Sequence, residues 1–138
     1  MILPFLSVKD LESSLKFYTE KLGFTSTPMM GPDGKLQMAF VNQGKSVQIG
    51  LSREMEPMSE RGGGVNLMLY PDDFDIDAYY QQVKSKGVSI DYAINTEFWG
   101  DRIFALKDPD GYTLTFGKTV QQMSMEEAQA HVEKHGLQ

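Results

Sequence analysis

Cysteine is absent from the 138-residue chain. That excludes a disulfide frame, a thiol nucleophile and any Cys-ligated metal. Histidine occurs only at His131 and His135, both beyond the predicted core, so no Ser-His-acid relay is suggested. Basic residues are in the minority, 13 Lys and Arg against 19 Asp and Glu, and the net charge of −6 argues against nucleic acid or an anionic membrane as main partner. No apolar run approaches the length of a membrane span. The opening MILPFLSV is too short for a signal-peptide core and is interrupted by Lys9-Asp10. A single cytoplasmic domain spanning 1–138, large enough to bury a core without staples, is the expectation.

What is present is organised around the stretch from Trp99 to Phe116, WGDRIFALKDPDGYTLTF. Arg102 to Lys107 contains the strand formers Ile103, Phe104 and Leu106. Asp108-Pro109-Asp110-Gly111 supplies a turn, with Pro fixing φ and Gly tolerating φ > 0. Tyr112 to Phe116 extends again, Thr113 and Thr115 on one face and Leu114 and Phe116 on the other. One face of this hairpin must meet a core and the other something polar.

Upstream, Ile2 to Val8 reads as a strand with Pro4 at an edge or irregular start. Asp10 caps a helix whose apolar residues Leu11, Leu15, Tyr18 and Leu22 recur at helical spacing until Gly23. Phe24–Met30, Leu36–Val41 and Val47–Leu51 follow as strands, separated by the turns Gly31-Pro32-Asp33-Gly34 and Asn42-Gln43-Gly44-Lys45. Val47, Ile49 and Leu51 share a face, opposite Gln48 and Gly50. Ser52 to Gly64, rich in charge and ending in three glycines, is a polar connector.

The same order then recurs. Val65–Tyr70 is a strand, Asp72 or Asp73 a cap, and Ile76, Tyr79, Tyr80 and Val83 a helical stripe ended by Gly87. Val88–Ile94 is a strand leading into the hairpin. Each half is strand–helix–strand–strand–strand over roughly 55 residues, an internal repeat. The fold class is α+β: two βαβββ modules forming a curved mixed sheet around a cleft, with module one at 1–52, a connector at 53–64 and module two at 65–118. The tail, 119–138, carries a short helix opened by the capping box of Ser124 and Glu127. With little apolar content, it either packs at an edge or stays mobile.

Several motifs have bland alternatives. His131 and His135 lie four apart with Glu127 one turn earlier, a spacing that suits a metal. Val132 nonetheless occupies the place where the metalloprotease pattern requires Glu, so a solvated helix end is favoured. Asp108 is positioned for turn structure more than for acid catalysis. Glu97, beside Phe98-Trp99, is the lone acid expected near a cleft, although a loop Glu is more often solvated. Gly62-Gly63-Gly64 lacks the Lys and Ser/Thr of a phosphate loop and is read as a hinge.

Val8-x-Asp10 followed by Phe17-Tyr18 and Leu22-Gly23-Phe24, together with DPDG before an alternating strand at the end of a second repeat, resembles the vicinal oxygen chelate superfamily. That group includes glyoxalase I, bleomycin-resistance proteins, fosfomycin-resistance enzymes and extradiol dioxygenases. The resemblance covers residues 1 to about 118. It implies metal-ligand positions at Leu3, at Gln48 or Gly50, at Asn66 and at Thr115, and none of these is His, Asp or Glu. Leu and Gly offer a divalent ion no side-chain donor, and Asn and Thr are weak neutral ligands. The chain therefore looks closest to the metal-free, bleomycin-resistance-like members, with no metal, no cofactor and no catalytic residue expected.

Same-face counting from those positions places Phe5, Ser7, Gln48, Asn66, Met68, Tyr70, Thr113 and Thr115 in the cleft, with Trp99 closing one end against a flat ligand. A lining that is apolar and aromatic with a few neutral hydrogen-bonding groups suits a small molecule. The competing reading is a filled core with Met plugging gaps. The resemblance also implies a homodimer, since many relatives build clefts across a subunit interface. The leading expectation is metal-independent binding, in the manner of sequestration, of a small and partly aromatic molecule. The alternatives are a lyase, isomerase or dioxygenase with a substituted metal site, and a partner protein with a vestigial cleft.

Overall fold

A computed structural model describes residues 2–54 and 62–137. Its first half runs β1 (Phe5–Val8), α1 (Leu11–Lys16) continuing into a π-helical turn at Phe17–Lys21, β2 (Thr25–Met30), β3 (Leu36–Gln43) and β4 (Val47–Arg53). Its second runs β5 (Asn66–Leu69), α2 (Ile76–Ser85), β6 (Tyr92–Thr96), β7 (Asp101–Lys107) and β8 (Thr113–Thr119), with α3 (Met125–His135) as the tail. The strands form two four-stranded sheets, ordered β1-β4-β3-β2 and β5-β8-β7-β6. In each, the first strand lies parallel to the last, and the remaining pairs are antiparallel. This is the architecture of two βαβββ modules, one sheet to a module.

Local chemistry explains the boundaries. Asp10 caps α1, its side chain accepting from the Ser13 N–H at 3.0 Å, and Gly23 ends the helical segment at φ 75°. Pro4 lacks an N–H, so β1 starts at Phe5 rather than Ile2, but the Pro4 carbonyl still accepts from Gly50 N–H at 2.9 Å. The cap of α2 is Asp75, not Asp72 or Asp73: its side chain accepts from Ala78 N–H at 3.1 Å. Asp73 sits at φ 41°, and Asp72 instead accepts from the Lys45 N–H. β6 begins at Tyr92 rather than Val88, because Val88 and Ile90 spend their side chains on the core before the backbone reaches the β7 ladder. The charged connector expected at 53–64 falls largely at 55–61, including Glu56, Pro57, Glu60 and Arg61, which lies outside the described residues. Gly62, expected as part of a hinge, packs against the hairpin turn instead. A Cβ there would meet the Gly111 carbonyl at 2.8 Å.

One apolar core serves both halves. Leu11, Tyr18 and Leu22 from the first helical segment meet Ile76, Tyr80 and Val83 from α2 and the inner faces of both sheets. The Phe24 and Phe116 rings touch edge to face across the modules, 6.3 Å between centroids. At the centre of this junction is the DPDG turn. The Asp108 carboxylate, 4% exposed, accepts from the N–H groups of Asp110 and Tyr112, both at 2.9 Å, and from the Tyr18 hydroxyl at 2.7 Å. Asp110 accepts from the Lys9 N–H at 2.8 Å and from the Ser14 hydroxyl at 3.1 Å. The Tyr112 hydroxyl donates to the Ser7 carbonyl at 2.9 Å. A turn of module two is thereby clamped to the strand–helix corner of module one.

Burial pushes the Asp108 carboxyl above its usual range, opposed by its three hydrogen bonds. Desolvation and the neighbouring Asp108 push Tyr18 well above an ordinary phenol, and desolvation alone raises Tyr79. Tyr18→Phe leaves one oxygen of a buried carboxylate without its donor and is expected to cost about 1–3 kcal/mol, and Asp108→Ala more, both read by chemical denaturation. A phenol raised in the folded state contributes stability that is complete below its unfolded pKa, about 10, and is lost as pH climbs through the folded value. The native protein should therefore show fewer than its six tyrosines titrating by phenolate absorbance at pH 11, and should unfold more readily as pH rises further.

Candidate functional site

The hairpin register that DPDG imposes determines what meets what on the open face of the second sheet. Lys107 pairs with Thr113 and Ala105 with Thr115. On the other side of β8, Asn66 pairs with Thr113 and Met68 with Thr115. Asn66, Met68, Thr113, Thr115, Ile103 and Ala105 thus share a face, since alternate residues of neighbouring strands project together. They line a cavity of about 380 Å³ together with Trp99, Tyr92, Glu97 and Leu137. Thr115, 3% exposed, donates from Oγ1 to Oδ1 of Asn66 at 2.7 Å. The Tyr92 hydroxyl donates to Glu97 Oε1, and that hydrogen bond raises the Tyr92 phenol.

A second cavity of about 490 Å³ adjoins it, where the N-terminal residues and the start of β4 face β5. Leu3, Gln48, Asn66, Met68 and Tyr70 are in its wall, so Asn66 and Met68 serve both spaces. Tyr70 lies over Gly117, where a Cβ would come within 2.9 Å of its ring. Its hydroxyl donates to Asp101 Oδ2 at 2.6 Å. Desolvation first, then this bond, push the phenol up to about 12. Phe5 and Ser7 line neither cavity. The Phe5 ring covers Gly50, where a Cβ would be 2.6 Å from it, and meets Phe40 edge to face at 5.6 Å. Ser7 is half-buried on β1, paired with Ser52 of β4. Of the nine residues singled out, the structure brings Asn66, Met68, Trp99, Thr113 and Thr115 around one space and sets Gln48 and Tyr70 beside it. It leaves Phe5 and Ser7 on the first sheet.

The positions that the resemblance implies for metal ligands hold Leu3, Gln48 or Gly50, Asn66 and Thr115. This donor set does not fit a divalent ion. It offers two neutral amides and a hydroxyl, and the hydroxyl is already committed to Asn66. Among the described residues, no three His, Cys, Asp or Glu side chains are grouped to hold a metal.

The tail adds what the sequence pattern did not reveal. α3 begins at the capping box, with Ser124 accepting from the Glu127 N–H at 3.1 Å, and buries none of its residues. His131 is nevertheless not a solvated helix end. Its ring stacks on Phe98 at 4.1 Å and 6°, and Phe98 meets Trp99 edge to face at 5.1 Å. The tail thus packs against the loop between β6 and β7 and brings Leu137 to the cavity. Gly100, at φ 100°, anchors its base: its carbonyl accepts from the N–H groups of Val120 and Gln121, and a Cβ would lie 1.8 Å from the Gln121 carbonyl. Ile103 and Ala105 were legible from the hairpin register, whereas Leu137 and His131 had no signal beyond the helix itself.

The family model described as Glyoxalase/Bleomycin resistance protein/Dioxygenase superfamily matches residues 2–116. An uncharacterised protein of Mycobacterium tuberculosis is 30% identical over 142 aligned positions, covering 96% of this chain and 82% of the relative. Among solved structures, TioX from Micromonospora sp. ML1 superposes with a TM-score of 0.69 at 18% identity, over 90% of this chain and 99% of that one. A superfamily member from Sphaerobacter thermophilus superposes at 0.64 and 26% identity, over 83% and 93%.

Because no residue of α3 is fully buried, deleting residues from 122 onward is expected to cost about 1 kcal/mol or less. The same deletion should increase acrylamide quenching of Trp99, the chain's single tryptophan, as Phe98 and the cavity wall become accessible. Unchanged quenching would mean that the tail does not shield this face in solution.

Proposed function

The chain belongs to the glyoxalase/bleomycin resistance protein/dioxygenase superfamily, and from that premise we propose that it binds a small, partly aromatic molecule without a metal ion, in the manner of sequestration. The ligand sits on the open face of the second sheet, among Asn66, Met68, Trp99, Thr113 and Thr115, with Gln48 and Tyr70 at its margin. The observation that carries this reading is the Asn66–Thr115 hydrogen bond. At two of the positions where metal-dependent relatives are expected to place charged or imidazole donors, two neutral side chains are hydrogen-bonded to each other instead. Beside them is a cavity whose walls are largely apolar and aromatic, the composition that suits a flat organic molecule.

A homodimer completes the picture. Phe5 and Ser7 stand on the first sheet, away from the cavity of their own chain, and the partially exposed Phe5 and Met29, each 46% exposed, leave that face with apolar surface to cover. A second copy would bring this face to the cavity, so that each cleft draws on both chains.

Mass spectrometry of protein purified without chelator is expected to find far less than one Ni, Zn, Mn or Fe per chain. A panel of aromatic compounds is expected to contain binders, and at a concentration about 100-fold above Kd these should stabilise by about 2.7 kcal/mol, a rise in Tm of roughly 10 °C. Light scattering should give twice the chain mass. One metal per chain would overturn the proposal and favour a lyase, isomerase or dioxygenase with substituted ligands. Metal-free protein that no compound stabilises would leave a vestigial cleft.

A further inference from the structure

We infer that the molecule bound in the 380 Å³ cavity carries a positive charge, and that Glu97 is its counterion. This rests on the small-molecule reading above and adds the chemical class of the ligand. Among the described residues, the rest of the cavity wall is uncharged. Met68, Tyr92, Trp99, Ile103, Ala105 and Leu137 present apolar or aromatic surface, and Asn66, Thr113 and Thr115 are neutral. Glu97 is the one ionisable carboxyl among the described residues of that wall, and no Lys, Arg or His side chain lines it.

Glu97 is held in place, and no ion pair among the described residues includes it. Its N–H donates to the Asp101 carbonyl at 2.7 Å, and its own carbonyl accepts from Gly100 N–H at 3.0 Å, so the loop is pinned at the mouth of the β6–β7 hairpin. Oε1 accepts from the Tyr92 hydroxyl, which orients the carboxylate but brings no charge. The ion pairs among the described residues lie elsewhere, joining Arg53 to Glu12, Arg102 to Asp77 and Lys107 to Asp91. The nearby Asp101 carboxylate is occupied by the Tyr70 hydroxyl. His131 stacks on Phe98 and does not line the space.

The Tyr92 hydroxyl and the pinned loop hold the Glu97 carboxylate at the edge of the aromatic wall, where a ligand cation gains a charge-assisted hydrogen bond to an acceptor that is already oriented. Tyr92 and Trp99 reinforce the preference, because the negative face of an aromatic ring attracts a cation that a carboxylate already holds. The net charge of −6 favours the approach of cations as well. Together these features select a flat apolar body bearing an amidinium, guanidinium or ammonium group. The apolar body spreads over Met68, Ile103 and Ala105, and its charged end sits at Glu97.

Trp99 fluorescence tests this with three probes of one shape and different charge: benzamidinium, benzamide and benzoate. Benzamidinium is expected to quench or shift Trp99 emission at a concentration at least ten-fold below that needed for benzamide, with benzoate inactive. Glu97→Gln should weaken benzamidinium at least ten-fold and leave benzamide unchanged. Tyr92→Phe, which keeps the carboxylate, should retain the preference for the cation, and the melting temperature of each variant checks its fold. Equal binding of benzamidinium and benzamide, or a preference that survives Glu97→Gln, would overturn the inference while leaving small-molecule binding intact. Silence of all three probes in the wild-type protein would overturn both.

Discussion

The buried Asp108 carboxylate is the constraint on which the rest of this molecule depends. Removing a carboxylate from water is costly, and here three donors offset the cost: two backbone N–H groups of its own turn and the hydroxyl of Tyr18 from the opposite module. The first two fix the conformation of the DPDG turn, and with it the register of β7 against β8. The third fixes where that hairpin stands relative to the first half of the chain. A single side chain therefore sets both the pairing that brings Ala105 opposite Thr115 and the packing that buries Phe116 against Phe24. Local turn geometry and long-range assembly share the same acceptor atoms.

The other junction between the modules uses the same device with donor and acceptor exchanged. At the DPDG turn, a turn side chain, Asp110, accepts from the backbone of the β1–α1 corner. At the β3–β4 turn, the backbone N–H of Lys45 donates to Asp72 in the β5–α2 corner, and the Ser46 hydroxyl donates to the Tyr70 carbonyl. Each module's last hairpin is thus tied to the other module's strand–helix corner. The pseudo-repeat visible in the sequence is a repeat of contacts as well as of elements. It leaves one face of each sheet free, because the helices and the shared core occupy the other.

On the second of those faces, the described residues at the centre are neutral and a carboxylate stands at the rim. Where a metal would need negative or imidazole donors, Asn66 and Thr115 are neutral and bonded to each other. Glu97, at the edge beside Tyr92 and Trp99, is the carboxylate that remains in the wall. An apolar floor with one carboxylate at its margin is the chemical character of this face. The tail meets this face at two points: Leu137 lines the cavity, and His131 stacks on Phe98 in the loop that carries Glu97 and Trp99.

Much of this was determined by the amino-acid sequence alone. Period-two alternation in Thr113–Phe116 and Val47–Leu51, helical spacing in Leu11–Leu22 and Ile76–Val83, and turn residues between them specify two βαβββ units, because these periods encode which side of an element is buried. The same alternation, counted from the positions that the family resemblance implies, put Asn66, Met68, Thr113 and Thr115 on one face, and hairpin register would have added Ile103 and Ala105. Other features required the tertiary structure. The helix cap fell at Asp75 rather than Asp72 or Asp73, directly before the first residue of the apolar stripe, Ile76, while Asp72 is drawn to the Lys45 N–H of the other module. Val88 to Ile94 has strand composition throughout, yet the ladder starts at Tyr92 because a strand exists only where a partner supplies hydrogen bonds. The tail's contact with Phe98, the placing of Glu97 in the cavity wall, and the separation of Phe5 and Ser7 from the cavity all join residues distant in the chain. Such contacts follow from how the two modules and the tail pack, which no local period records.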